Sequence, residues 1–314
     1  MRKKRTRKQG WWLVIGCVVF LLVQVNVWRV NEWPFLLSQI KGAYSTGKEG
    51  LEGMTAKQVL LAERGGAIRY EQNSHRQTSI ASLTKIMTVV CLIEASPDTQ
   101  QPVRIPADIF PYIWQENLAM AGFLQDELVS LEDLLYGIML PSGAEAALAA
   151  AVFAAGTEEA FVKQMNRKAQ ELEMTQTSFS NVTGADHVNH YSTASDLLKL
   201  LDYALENPTF YQLFTSFSHV TQPTAVHPDG LQLSSTLLTT GESLSWNSGA
   251  IVGGKTGYTM QAGQCLASLA RVNGKEYLMI LLGAEGSPGG EQLNIRESRS
   301  IYKKYLEGEA SREA

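Results

Sequence analysis

Gly253-Gly254-Lys255-Thr256-Gly257-Tyr258-Thr259 is the stretch whose reading decides this fold. Ile251 and Val252 lead into it, so 251–259 is expected to be a strand. Glycine weakens a strand interior, and its presence there marks a close approach by another backbone. Lys255 and Thr256 set an ammonium and a hydroxyl beside that open backbone. Both groups hold carboxylates, and the strand N–H groups can pair with an extended peptide. Taken alone, the heptapeptide reads equally as a glycine-rich turn with a solvated lysine; the rest of the chain separates the two readings.

Two more strands are expected after it, Gln264–Val272 and Glu276–Gly283, joined at Asn273-Gly274, a strong hairpin signal. A closing helix spans Glu291–Leu306. Near the other end, Gln58–Glu63 and Ala67–Glu71 flank Arg64-Gly65-Gly66 as a second hairpin. Between the two lies helical sequence. Ser82–Ala95 is apolar at helical spacing and stops at Pro97. Pro102–Glu127 is loop-rich. Ser130 opens a helix in the manner of a capping box, and Pro141-Ser142-Gly143 breaks it. Glu145–Ala155 is so apolar that burial on all sides is expected. Thr157-Glu158-Glu159 starts a helix ending near Leu172. Thr193 caps another that reaches Glu206, where Asn207-Pro208 stops it. The fold class expected is α/β of the α+β kind: an antiparallel sheet built from both chain ends and flanked by helices, with an inserted all-helical subdomain.

Composition places limits on function. The 314 residues are 45% hydrophobic and 18% charged, with net charge −4. Six of the 27 basic residues fall in the first ten positions, so residues 11–314 carry 21 basic against 31 acidic side chains, a net of −10. That balance argues against a nucleic-acid surface. The basic residues 1–10 precede Trp11–Trp28, 18 residues without a charge, which as a helix span about 27 Å. We expect an uncleaved transmembrane signal-anchor at 11–28, with a cleaved signal peptide as the competing reading. A linker at 29–53, a catalytic domain at 54–307 and a tail at 308–314 follow. Positive-inside places residues 29–314 outside the cell. Cys17, Cys91 and Cys265 sit in no metal spacing, and Cys91 and Cys265 lie in apolar runs that suit buried free thiols.

Ser82-Leu83-Thr84-Lys85 sets a hydroxyl at a helix start and an amine one turn later on the same face. Desolvation by Ile86 and Met87 lowers the pKa of such a lysine toward that of a usable base. By itself the motif says little, since S-x-x-K recurs at Ser38–Lys41, Ser45–Lys48 and Ser300–Lys303. K-T-G occurs once. What carries weight is order: Ser82-Leu83-Thr84-Lys85 first, Ser142-Gly143-Ala144 between helices next, Lys255-Thr256-Gly257 on a strand last.

On these motifs the chain resembles the serine D-alanyl-D-alanine carboxypeptidases, the low-molecular-mass penicillin-binding proteins of the β-lactamase/transpeptidase-like superfamily. The likeness extends over about Leu51–Leu306 and includes Phe161, Met165-Asn166, Ala169, Phe179, Asn181, Gly184, His190–Asp196, Ala262-Gly263 and Cys265. It implies that Ser82 is the acylated nucleophile, Lys85 its general base and Ser142 a proton relay tuned by Lys255. It also implies that Lys255 and Thr256 bind the substrate carboxylate within the Lys255-Thr256-Gly257-Tyr258 strand, and that the N–H groups of Ser82 and Tyr258 form the oxyanion hole. The implied partners are peptidoglycan stem pentapeptides, β-lactam inhibitors and, through the N-terminal helix, the membrane; no cofactor and no nucleic acid are implied. One departure stands out: the family's asparagine in the second motif is Ala144 here, so a weakened enzyme is expected. A β-lactamase-like hydrolase and a penicillin-recognising protein with a decayed site are the alternatives. His187 and His190 are read as loop residues without chemistry.

Overall fold

A computed structural model of the protein describes residues 53–238 and 241–307. The expected anchor, the basic segment before it, the tail, and all of the linker except Gly53 lie outside these residues. Among the described residues no helix is long and apolar enough to cross a membrane.

The Asn273-Gly274 turn, with φ of 49° and 80°, joins β9 (Gly263–Val272) to β10 (Lys275–Ala284). The first hairpin, β1 (Gln58–Glu63) and β2 (Ile68–Gln72), adds to it through β1, which pairs antiparallel with β10. On the other side β9 pairs antiparallel with β8 (Gly249–Thr259), and the short β7 (Ser245–Trp246) pairs with the start of β8. The order is β2-β1-β10-β9-β8-β7, a six-stranded sheet among the described residues. The first and last described segments are further tied by Glu297, whose Oε1 accepts from Thr55 N at 2.8 Å and whose Oε2 accepts from Ala56 N at 3.0 Å.

Side chains on a strand alternate between faces, and here both faces are covered. Leu60, Leu278, Ile280, Leu282, Ala267 and Leu269 join the core beneath the helices. Val59, Leu61, Met279, Leu281, Leu266 and Ala270 join a second core against Ile295, Ile301 and Tyr302 of the closing helix. Burial on both faces explains why β10 reads as an unbroken apolar run.

The insert comprises α1 (Thr84–Ala95), β3 (Pro102–Arg104), α2 (Phe110–Gln115), β4 (Leu128–Ser130), α3 (Leu131–Met139), α4 (Ala144–Ala155), α5 (Glu158–Glu171), α6 (Ala194–Leu205), α7 (Pro208–Thr215), β5 (Ser218–Val220) and β6 (Gln232–Ser234); α8 (Leu293–Leu306) closes the chain. Its caps follow the sequence. Ser130 Oγ accepts from Asp133 N at 3.1 Å, Thr157 Oγ1 from Ala160 N at 3.1 Å and Thr193 Oγ1 from Asp196 N at 3.0 Å.

Three expectations need correction. The insert is not all helical, since β3 pairs with β4 and β5 with β6. Asn207-Pro208 does not merely stop α6: Asn207 Oδ1 accepts from Thr209 N and Phe210 N, and Pro208 begins α7. Asparagine and proline suit a helix start as well as a stop. Finally, α4 is buried only through Ala151; its last turn emerges, with Phe153 exposed. Cys91 and Cys265 are free and buried as expected, and burial pushes both thiols up to about 12.

Candidate active site

Ser82 lies in a 3-10 turn, Ala81–Leu83, that runs into α1. Helical spacing carries Lys85 round to the same side, and its Nζ donates to Ser82 Oγ at 3.3 Å and to Thr183 O at 2.7 Å. Lys85 is buried, and that burial lowers its pKa to about 7, with Glu145 pulling the other way. Near neutrality a large share of Lys85 is therefore an unprotonated amine beside a hydroxyl.

The turn is held on two sides. Gly184, at φ 88°, leaves space for the Ala81 carbonyl, which a Cβ would occupy. On the sheet side, a Cβ on Gly257 would stand 3.0 Å from Ser82 N. Gly253 likewise makes room for Phe214 of α7. The glycines of the deciding stretch thus admit backbone of the chain itself.

Ser142 follows the break between α3 and α4 at φ 70°, a conformation costly for a residue with a side chain. Its Oγ is buried and has no hydrogen-bond partner among the described residues. Ala144 is fully buried and its N–H donates to Ala119 O at 2.8 Å. Neighbouring Glu145, also fully buried, accepts through Oε1 from the N–H groups of Ala121, Gly122 and Phe123 at 2.6, 2.8 and 3.3 Å. Burial raises the pKa of its carboxyl.

Lys255 is fully buried, its Nζ donating to Thr256 O at 3.1 Å. Its pKa falls well below the usual range through burial and then through the charge of Lys85. Thr256 Oγ1 lies 2.6 Å from Thr236 Oγ1.

These groups meet in a cleft of about 850 Å³ lined by Ser82, Lys85, Ser142, Thr236 and the consecutive residues Thr256-Gly257-Tyr258-Thr259-Met260. Alternating side chains cannot all face one way, so it is the edge of β8 that borders the cleft. β7 pairs with that strand only at Gly249 and Ala250. The structure therefore brings together Ser82, Lys85, Ser142, Thr256, Gly257 and Tyr258. Lys255 is fully buried and is not among the lining residues, whereas Thr256 and Thr236 are.

Sequence reasoning missed Thr236, Asp186 and the hub at His190. Thr84 Oγ1 donates to Ala81 O at 2.8 Å, so the 2.7 Å contact with His190 Nε2 must use an Nε2–H donor. Nδ1 accepts from Ser180 N at 3.1 Å. Burial lowers the pKa of this histidine to about 4, so it is neutral near pH 7. It braces the turn that carries Ser82.

The comparisons with known proteins agree with this geometry. The chain is 33% identical over 239 residues to D-alanyl-D-alanine carboxypeptidase DacF of Bacillus subtilis, covering 73% of this chain and 57% of that one. It is 30% identical over 233 residues to D-alanyl-D-alanine carboxypeptidase of a Streptomyces species, strain K15, covering 72% and 79%. The crystal structure of the Streptomyces K15 DD-transpeptidase matches at a TM-score of 0.70 and 25% identity, covering 80% of this chain and 96% of that one. The sequence model of the D-alanyl-D-alanine carboxypeptidase family, Peptidase S11, matches residues 46–286. The chain belongs to that family of serine peptidases, on the penicillin-binding fold.

Proposed function

We propose that the protein is a membrane-anchored, extracytoplasmic D-Ala-D-Ala carboxypeptidase that works through an acyl-enzyme on Ser82. The observation that carries this reading is Lys85 Nζ at 3.3 Å from Ser82 Oγ, at a pKa brought down to about 7, beside the open edge of β8. The neutral amine takes the Ser82 proton as Oγ bonds to the carbonyl carbon of the penultimate D-alanine. The N–H groups of Ser82 and Tyr258 receive the developing oxyanion. Ser142, whose hydroxyl borders the cleft, passes a proton to the leaving amine of the last D-alanine. Water then attacks the ester, releasing the shortened peptide and regenerating Ser82. Burial favours the basic form of the Lys85 amine. The same serine opens the β-lactam ring and keeps it as an ester. Residues 11–28 anchor the chain and leave the domain on the side where peptidoglycan lies.

Mass spectrometry after incubation with penicillin and with a D-Ala-D-Ala peptide tests this. The drug's mass should map to Ser82 and D-alanine should be released. Ser82→Ala should lose both, and Lys85→Ala should slow acylation by about 10²–10⁴-fold. Labelling that survives Ser82→Ala would sink the proposal, and a mature N-terminus near residue 30 would replace the anchor with a cleaved signal.

A further inference from the structure

We propose that Asp186 is a specificity-determining residue for the same reaction: it holds an ammonium on the side chain of the residue preceding the two D-alanines. This rests on the carboxypeptidase reading above. A C-terminal carboxylate at the Thr256 and Thr236 hydroxyls, with its scissile carbonyl between Ser82 and Tyr258, fixes the direction of the bound peptide. It runs antiparallel to β8 along the open edge. At about 3.3 Å of rise per residue, the next residue upstream lies beside Thr259.

Asp186 is tied to that spot. Thr259 Oγ1 donates to Asp186 Oδ1 at 2.7 Å, and Ser79 Oγ donates to the same oxygen at 2.6 Å. Oδ2 makes no bond among the described residues, and Asp186 lines the cleft. The charge around it has one sign. Lys85, Glu116 and Asp186 are the charged side chains among the lining residues; Lys85 is buried beneath Ser82, which leaves two carboxylates facing solvent. That this cleft receives a ligand is supported independently by Ser142, 5% exposed, whose Oγ borders it without a partner. A neutral or acidic side chain upstream would leave Asp186 unanswered, whereas the second amine of an L-diamino acid would answer it.

The test compares Nα-acetyl-L-Lys-D-Ala-D-Ala with the same peptide acetylated on its ε-amine. Wild type should favour the free amine by about five- to tenfold in kcat/KM, mostly through KM. Asparagine at 186 still accepts from Ser79 and Thr259, so Asp186→Asn should bring the ratio to about one. In wild type the ratio should also shrink at high salt, which needs no variant. The proposal is overturned if wild type treats both peptides alike, or if Asp186→Asn lowers both equally. Failure to release D-alanine from either peptide, with no penicillin labelling, would instead overturn the carboxypeptidase reading.

Discussion

The carbonyl of Ala81 fills the space where a side chain on Gly184 would begin. Ala81 itself sits at φ 47°, and Ser82 follows it directly. Ser82 is therefore placed by a contact between two segments more than 100 residues apart in sequence.

Gly184→Ala should show this. The left-handed backbone costs about 1–3 kcal/mol with a side chain present, and the Cβ must push the Ala81 carbonyl away. A displacement near 1 Å at a reacting group costs on the order of 10²-fold in rate. Penicillin acylation should fall by that much in protein that still unfolds cooperatively; an acylation rate equal to wild type would refute the placement.

Acylation should follow the neutral form of Lys85, rising as pH climbs through about 7 and levelling above it. Glu145 is the charged group acting on Lys85, and it raises that pKa. Glutamine at 145 still accepts from residues 121–123 but carries no charge, so Glu145→Gln should move the acid limb to lower pH. Penicillin acylation rates between about pH 5 and 9 decide it, and an unmoved or raised limb would count against the assignment. Stability has a definite sign too. Lys85 titrates lower folded than unfolded, so its contribution is complete above about 10.5 and is lost as pH falls to about 7. Lys85→Met should flatten that part of a Tm–pH curve.

His190→Ala removes a buried donor and acceptor at once. The loss should be about 1–3 kcal/mol in unfolding free energy, read by denaturant titration. The ring should be neutral with hydrogen on Nε2, which nitrogen NMR shifts report. Its folded pKa of about 4 lies below the free value of 6.5, so this part of the stability is lost as pH falls from about 6.5 to 4. A ring protonated at pH 6 would contradict the geometry.

Ala144 looks, in sequence, like a simple loss of an amide that asparagine should restore. Its complete burial, with its N–H bonded to Ala119 O, changes that expectation. The larger side chain should overpack the junction by about 1–3 kcal/mol and shift Ser142, so Ala144→Asn should lower kcat/KM on a D-Ala-D-Ala peptide. An increase would mean that the junction opens to admit the amide.

The three motifs were legible because the chemistry proposed for them constrains residue type and order together: Ser82, Lys85, Ser142 and Lys255-Thr256-Gly257 each need a specific group at a specific kind of element. Strands β8 to β10 and the caps at Ser130, Thr157 and Thr193 were legible for a local reason, since turn and cap chemistry is written within four residues. Helix α7 was hidden because Asn207-Pro208 serves a stop and a start alike. Thr236, Asp186 and His190 meet Thr256, Thr259 and Thr84 across 20, 73 and 106 residues of sequence, and no local pattern encodes such meetings. The buried position of Lys255 was hidden for the same reason, since strand periodicity does not say which backbone will cover it.

The pairing of β1 with β10 has a consequence for how the molecule comes to exist. Gln58 pairs with Leu282 and Glu63 with Tyr277, partners more than 200 residues apart. During synthesis the first hairpin must wait for the last one, with the far edge of β1 unpaired. A two-stranded hairpin is marginal on its own, and closing so long a loop is slow. The insert can collapse earlier on local contacts, but the sheet cannot be completed until β10 is made. A nascent chain stopped before residue 275 would carry all three motifs and still lack β10, the strand that joins the first hairpin to β9 and β8.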